Sequence, residues 1–176
     1  MILIQEYIKC YENILDPKVC ERIVTEDSQN FARATTNDGD ITPMRNCYQK
    51  KVNDEFDSII FQCVGEIIKR YEKDFKYFMT GLNCEDTGYE HLLYKGSEKG
   101  EYKEHVDHYD LHPRVLSCSI ILNDDYEGGD FSFFEGEHIV PKKTGSAVVF
   151  PSNFCFPHAV TPVTNGNRHA LITWIH

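Results

Sequence analysis

A chain of 176 residues is long enough to bury a hydrophobic core of its own, and it reads most simply as one domain over 1–176. Its formal charge of −10 and sequence pI near 5.2, with no basic run longer than Lys142-Lys143, leave no stripe for nucleic acid or anionic lipid. The N-terminal MILIQEYIKCYENIL has neither a basic leader nor a continuous apolar stretch, and no window approaches a membrane span, so no signal peptide and no membrane anchor are expected.

Asp16-Pro17 is a helix start, an N-cap followed by proline at the first helical position, and Val19, Ile23 and Val24 give an apolar face. A short helix over about 17–27 is predicted. Residues 31–50, FARATTNDGDITPMRNCYQK, lose that periodicity and read as a long loop or loose hairpin. From Val52 to Tyr71 the apolar residues recur at helical spacing, which predicts the longest helix, about 51–73. Beyond Gly81 the chain breaks into short β-like runs at 89–95, 101–107, 114–122, 130–134, 137–140, 146–150, 158–163 and 168–175. The expected class is α+β: helical and loop support over about 1–80, then an all-β core over about 81–176. Seven scattered cysteines, an odd number without a Cys-x-x-Cys pair, read as reduced thiols in a cytoplasmic protein.

The densest chemistry lies in EHVDHYDLHP, residues 104–113, where His105-Val106-Asp107 and His108-Tyr109-Asp110 stand back to back. In an extended strand residues i and i+2 share a face, so His105 and Asp107 can present an imidazole and a carboxylate to one ion. His158, opening the run HAVTPV, is the best candidate for a third ligand. Two histidines and a carboxylate on one face of a metal are the arrangement of non-haem Fe(II) oxygenases, whereas zinc closes its sphere with more nitrogen or sulfur. Taken alone, a His-x-Asp triplet arises often by chance, and Arg168 after the turn residues Thr164-Asn165-Gly166-Asn167 reads equally as a surface arginine. A hairpin at that turn would bring Arg168 back toward the metal side, where its fork could bind a carboxylate.

LLYKGSEKGEYKEHVDHYD (92–110), RVLSCSIILNDDYEGGDFSFF (114–134), KTGSAVVFP (143–151) and HAVTPVTNGNRHALITW (158–174) together resemble the Fe(II)- and 2-oxoglutarate-dependent dioxygenases, especially their prolyl 4-hydroxylase-like branch. The resemblance covers about residues 89–176, and it extends loosely to ARATTNDGDITPMRN, similar to a mobile substrate-side loop. It implies a double-stranded β-helix (jelly-roll) core with N-terminal supporting helices. It also implies iron ligation by His105, Asp107 and His158, an anchor for 2-oxoglutarate in Arg168, and co-substrate contacts from Tyr94. Trp174 would line the pocket and Arg114 would stand on the substrate side. Because Gly100-Glu101-Tyr102 precedes His105 as in the family, the first triplet is favoured over His108 and Asp110. His91, His112, His138, His169 and His176 are expected to be exposed or structural.

The implied cofactors are Fe(II), 2-oxoglutarate and O2, with ascorbate as an accessory reductant. The implied reaction hydroxylates a C–H bond, foremost of a prolyl residue in a peptide or protein, and releases succinate and CO2. The retained Asp107 favours hydroxylation over halogenation, since related halogenases carry a small residue there. Free amino acids and small metabolites stay open as substrates, as does a non-catalytic jelly-roll module that binds a metal or small acid. Nucleic-acid demethylation is disfavoured by Trp174, where those relatives carry a second arginine. Oligomeric state is not legible.

Overall fold

The computed structural model describes the chain except residues 1, 2, 37, 38, 81–83, 110 and 112. Asp110 and His112 of the His-rich decapeptide therefore lie outside the described residues. In chain order the elements are β1 (Lys9–Tyr11), α1 (Pro17–Glu26), β2 (Ala32–Arg33), β3 (Arg45–Asn46), β4 (Tyr48–Lys51) and α2 (Asp54–Asp74). There follow β5 (Glu90–Lys95), β6 (Glu101–His105), β7 (Leu116–Ile121), β8 (Glu127–Gly128), β9 (Phe131–Phe133) and β10 (His138–Ile139). The chain closes with β11 (Ala147–Pro151), β12 (His158–Val160), β13 (Val163–Asn165) and β14 (Asn167–Ile175).

Both helices form where local chemistry places them. The Asp16 carboxylate accepts from the Lys18 amide at 2.8 Å, with Pro17 at the first helical position. Asp54, Glu55 and Asp57 occupy the first turn of α2 and Lys73 its last, each complementing the helix dipole. The buried face of α2 is Phe56, Ile60, Cys63, Val64, Ile67 and Tyr71. No helix among the described residues is long and apolar enough to cross a membrane.

The strands make the expected jelly-roll: a seven-stranded sheet ordered β1-β11-β7-β14-β5-β4-β2 and a five-stranded sheet ordered β10-β9-β12-β6-β3. Every pairing within them is antiparallel among the described residues. The period of two sorts side chains between two cores. Leu116, Cys118, Ile120, Val149, Leu171 and Ile175 face outward, under α1 and α2. Alternate residues of the same strands, Leu92, Tyr94, Ile121, Val148, Phe150 and Ile172, face the smaller sheet. Each large aliphatic or aromatic side chain so buried contributes roughly 1.5–3 kcal/mol.

One expectation is sharpened and one needs correction. Of the two forms expected for 31–50 the structure takes the loose hairpin, β2 pairing antiparallel with β4, while β3 joins the smaller sheet beside β6 and β4 extends the larger one beside β5. YQKK, the sequence of β4, has no apolar alternation to announce a strand; backbone pairing to β5 makes it one. The runs HAVTPV and RHALITW, moreover, form no hairpin. Strand β12 pairs with β6 and β9, β13 with β8, and β14 crosses to the other sheet between β5 and β7. Arg168 reaches the interior from the opposite wall.

All seven cysteines are free thiols, and Cys20, Cys47, Cys63 and Cys118 are buried as small apolar side chains.

Candidate metal centre

His158 on β12 stands directly opposite His105 on β6, so adjacent strands of the smaller sheet carry both imidazoles inward side by side. Asp107 follows two positions past the end of β6, buried to 8% exposure. One ligand atom from each of the three residues lies within 4.8 Å of the others, the one such cluster among the described residues. Exposed His108 takes no part in it.

Hydrogen bonds on the far side of each ring orient the set. Nδ1 of His105 meets the Lys103 carbonyl at 2.8 Å, and Nδ1 of His158 meets the Phe156 carbonyl at 3.0 Å. A carbonyl only accepts, so each Nδ1 carries the proton and each Nε2 offers a lone pair to the centre. The Nε2 atoms stand 3.6 Å from Oδ1 and Oδ2 of Asp107, too far for hydrogen bonds. Burial, opposed by Asp107, pushes the His158 ring down to about 4 and keeps it neutral at pH 7. Burial alone would raise the Asp107 carboxyl, but His158, His105 and a hydrogen bond from Ser117 outweigh it and hold the group well below the usual carboxylate range. Two imidazole Nε2 atoms and one carboxylate thus converge, a donor set that fits a divalent metal with open positions, of the Fe(II) oxygenase kind.

Behind the cluster a buried slot of about 40 Å³ runs between the sheets, walled by Leu92, Tyr94, Ser119, Phe131, Val160 and Ile172. Arg168 lines it, only 3% exposed and without an acidic partner among the described residues. Its guanidinium lies 5.0 Å over the ring of Tyr94, the residue opposite it in the β14–β5 register. Gly129 makes room for that arginine: at φ +60° a Cβ there would meet Arg168 Cδ at 3.3 Å and the Tyr126 ring at 2.9 Å. Burial drives the Tyr94 hydroxyl far above its ordinary value, so it remains a neutral donor.

On the open side, Arg114 stacks 3.8 Å over Trp174 and donates from Nη1 to the Asp107 carbonyl at 3.1 Å. The structure therefore gathers His105, Asp107, His158, Arg168, Tyr94 and Trp174 around the slot and sets Arg114 beside them on the outer cavity. Sequence reasoning missed Ser117, which donates to Asp107 Oδ2 at 2.6 Å, and Tyr102, whose ring stacks on His105 at 3.5 Å. It also missed Arg45, Gln49 and Glu90, which line the outer cavity. Glu90 carried a usable signal, since it shares the strand face of Leu92 and Tyr94 at spacing two. Arg45 had none, lying in a stretch without periodicity.

Comparison with known proteins agrees with this geometry. Residues 90–176 match the family model of the 2OG-Fe(II) oxygenase superfamily. A PKHD-type hydroxylase of Alteromonas mediterranea is 31% identical over 177 residues, covering 92% of this chain and 76% of that protein. Another, from a Psychrobacter species, is 39% identical over 75 residues, or 40% of this chain and 28% of its own. Among solved structures, a Trichoplax adhaerens prolyl hydroxylase in complex with a hypoxia inducible factor peptide fragment superposes with a TM-score of 0.79 at 18% identity, over 96% of this chain and 83% of that one. A viral collagen prolyl hydroxylase from Paramecium bursaria Chlorella virus-1, in its 2OG complex, gives 0.71 at 18% identity, over 96% and 95%. At such identity the structural likeness carries the fold alone.

Proposed function

Because this chain belongs to the 2OG-Fe(II) oxygenase superfamily and is a 2-oxoglutarate-dependent hydroxylase of the prolyl-hydroxylase type, we propose that it hydroxylates a prolyl residue, converting 2-oxoglutarate to succinate and CO2. Enzymes of this superfamily use Fe(II), 2-oxoglutarate and O2. The observation that carries the site reading is the buried Arg168, without an acidic partner among the described residues, lining the slot that also holds three convergent donors. An isolated buried guanidinium costs several kcal/mol, which a bound carboxylate would offset.

In this reading His105 and His158 hold the metal through Nε2 and Asp107 through its carboxylate. Fe(II) held there supplies, with 2-oxoglutarate and O2, the oxidising power to break an unactivated C–H bond. One oxygen atom of O2 enters the substrate and the other enters succinate. Arg168 pairs with the distal carboxylate of 2-oxoglutarate, and Tyr94 donates beside it. Apolar walls from Leu92, Phe131, Val160 and Ile172 keep water from the slot, so that charge pair acts in a dry setting. Arg114 and Trp174 border the face from which substrate approaches.

The test is a mass-spectrometric screen of proline-containing peptides and free amino acids for a gain of one oxygen that needs both Fe(II) and 2-oxoglutarate. The expected product is a hydroxyprolyl compound with one succinate per turnover; oxygen gain confined to non-prolyl substrates would refute the prolyl reading. Arg168→Ala should raise the apparent KM for 2-oxoglutarate by about 30-fold or more, the loss of one partner of a buried charge pair. An unchanged KM would move the anchor elsewhere.

A further inference from the structure

Beside the donor cluster a second cavity of about 170 Å³ opens to solvent. Its floor is the inner face of the larger sheet. Glu90 begins β5 on the side of Leu92 and Tyr94, Gln49 stands opposite Leu92 on β4, and Trp174 shares the face of Arg168 on β14. Arg45 enters from β3 of the smaller sheet, and its guanidinium lies 5.0 Å over Tyr102.

Polar groups left without partners concentrate here. Among the described residues six buried side-chain nitrogen or oxygen atoms lack a hydrogen bond, and three of them belong to residues lining this cavity: Arg45 Nε, Gln49 Oε1 and Trp174 Nε1. Each such atom costs about 1–3 kcal/mol unless something meets it. Glu90 joins them, its carboxylate in no ion pair or hydrogen bond with any described residue. Burial raises its carboxyl, while Arg45 and Arg114 pull it back down. Residues lining the cavity therefore carry donors, Arg45 Nε–H and Trp174 Nε1–H, and acceptors, the Gln49 carbonyl and the Glu90 carboxylate, that no described side chain meets.

A matching ligand offers acceptor oxygens and N–H donors within one residue-sized group, since the volume equals about six waters at ~30 Å³ each. A prolyl residue inside a peptide does not qualify, because its nitrogen is a tertiary amide with no hydrogen to donate. A prolyl residue with a free amine qualifies: its secondary ammonium carries two N–H bonds and a positive charge. We propose that the substrate enters with its amine unblocked, its ammonium on Glu90 and Gln49 and its carbonyl or carboxylate oxygen on Arg45 and Trp174. The substrate is thus a free imino acid or the N-terminal residue of a peptide. This inference rests on the reading of the cavity as the substrate side of the oxygenase site.

Anaerobic calorimetry on the Fe(II)- and 2-oxoglutarate-loaded protein tests it with L-proline, L-prolyl-glycine and their N-acetyl counterparts. The unblocked compounds should bind at least ~10-fold more tightly, the size of one charge-assisted hydrogen bond. Glu90→Gln should bring that ratio near unity without weakening the acetylated compounds, its folding checked by an unchanged thermal midpoint. Preference between L-proline and L-prolyl-glycine then separates a free imino acid from a peptide terminus. Equal or tighter binding of the acetylated compounds, or a ratio untouched by Glu90→Gln, would overturn the inference. If an acetylated or interior prolyl peptide still gains oxygen, the oxygenase reading stands and only the free-amine requirement falls. Failure of every prolyl compound to bind or gain oxygen removes both the free-amine requirement and the prolyl reading.

Discussion

The two faces of strands β5 and β14 look onto two histidine-rich clusters, and the contrast shows what distinguishes a ligand set from a structural one. Inward, the pair Tyr94 and Arg168 faces the slot behind His105, Asp107 and His158. Outward, His91 and His169 join Asp27 at the end of α1. His91 Nδ1 meets Asp27 Oδ2 at 2.7 Å, and His91 Nε2 meets His169 Nδ1 at 2.9 Å. Lys50 Nζ donates to Asp27 Oδ1 at 2.6 Å. Both ring nitrogens of His91 and Nδ1 of His169 thus meet partners within this chain. The inner cluster uses its Nδ1 protons on backbone carbonyls and leaves three lone-pair atoms facing one another. Residue types are alike on the two faces; only the direction of the lone pairs differs.

The contrast breaks most sharply on Asp107. Asp107→Ala should abolish Fe(II) binding and succinate formation, a loss beyond the ~10–100-fold that outer partners of a metal carry. His108→Ala should keep most activity, and equal loss in both variants would refute the choice of triplet. Asp27→Ala should do the reverse. It strands Lys50 and the fully buried His91, costing about 3–5 kcal/mol and roughly 10 °C of thermal midpoint. The cold, folded protein should still form the weak visible band of an Fe(II)–2-oxoglutarate complex. Loss of that band without a fall in Tm would reverse the roles of the two clusters.

Acid should sharpen the same comparison by a slightly smaller amount. Burial, reinforced by His91, pushes the His169 ring down to about 4. Unfolded histidine titrates near 6.5, so below that pH the unfolded chain takes up a proton that the native ring refuses. Stability therefore falls as pH drops from about 6.5 to 4, by roughly 3 kcal/mol from this residue. Urea melts of the wild type and His169→Asn at pH 7 and pH 4.5 should show a shallower acid loss in the variant. Parallel losses would mean that His169 is protonated in the native state.

How far the sequence anticipates all this depends on whether the signal is local. Helix α2 is legible because Phe56, Ile60, Val64 and Ile67 recur within a single element. His105 and Asp107 are legible because two positions apart is a strand spacing, and His158 and Arg168 because they fall in order within a resembled pattern. The route of Arg168 is not, since a turn-rich TNGN reads as a hairpin whether the next strand pairs back or crosses to the other sheet. Asp27, His91 and His169 sit far apart in sequence on α1's end, β5 and β14, and nothing in one chain links them. Arg45 and Gln49 are hidden for a related reason: their strands exist through pairing with β6 and β5, without apolar alternation of their own.

Ser117 is the hidden residue whose effect should be smallest and most specific. In SCSII it reads as one small residue of a buried strand, yet its hydroxyl donates to Asp107 Oδ2 at 2.6 Å and meets Ser152 Oγ at 2.8 Å. Asp107 lies past the end of β6, outside the ladder, so side-chain contacts must fix which carboxylate oxygen faces His105 and which faces His158. Removing that hydroxyl by Ser117→Ala should weaken Fe(II) affinity about 10-fold or more, toward the lower end of what outer hydrogen bonds carry. The thermal midpoint of the metal-free protein should move far less than in Asp27→Ala. Ser117→Thr, which restores the donor, should recover most of the affinity, and Ser152→Ala should cost less because it acts through Ser117. Fe(II) titrations that leave Ser117→Ala indistinguishable from wild type would mean that Arg114, through the Asp107 carbonyl, suffices to hold the carboxylate in place.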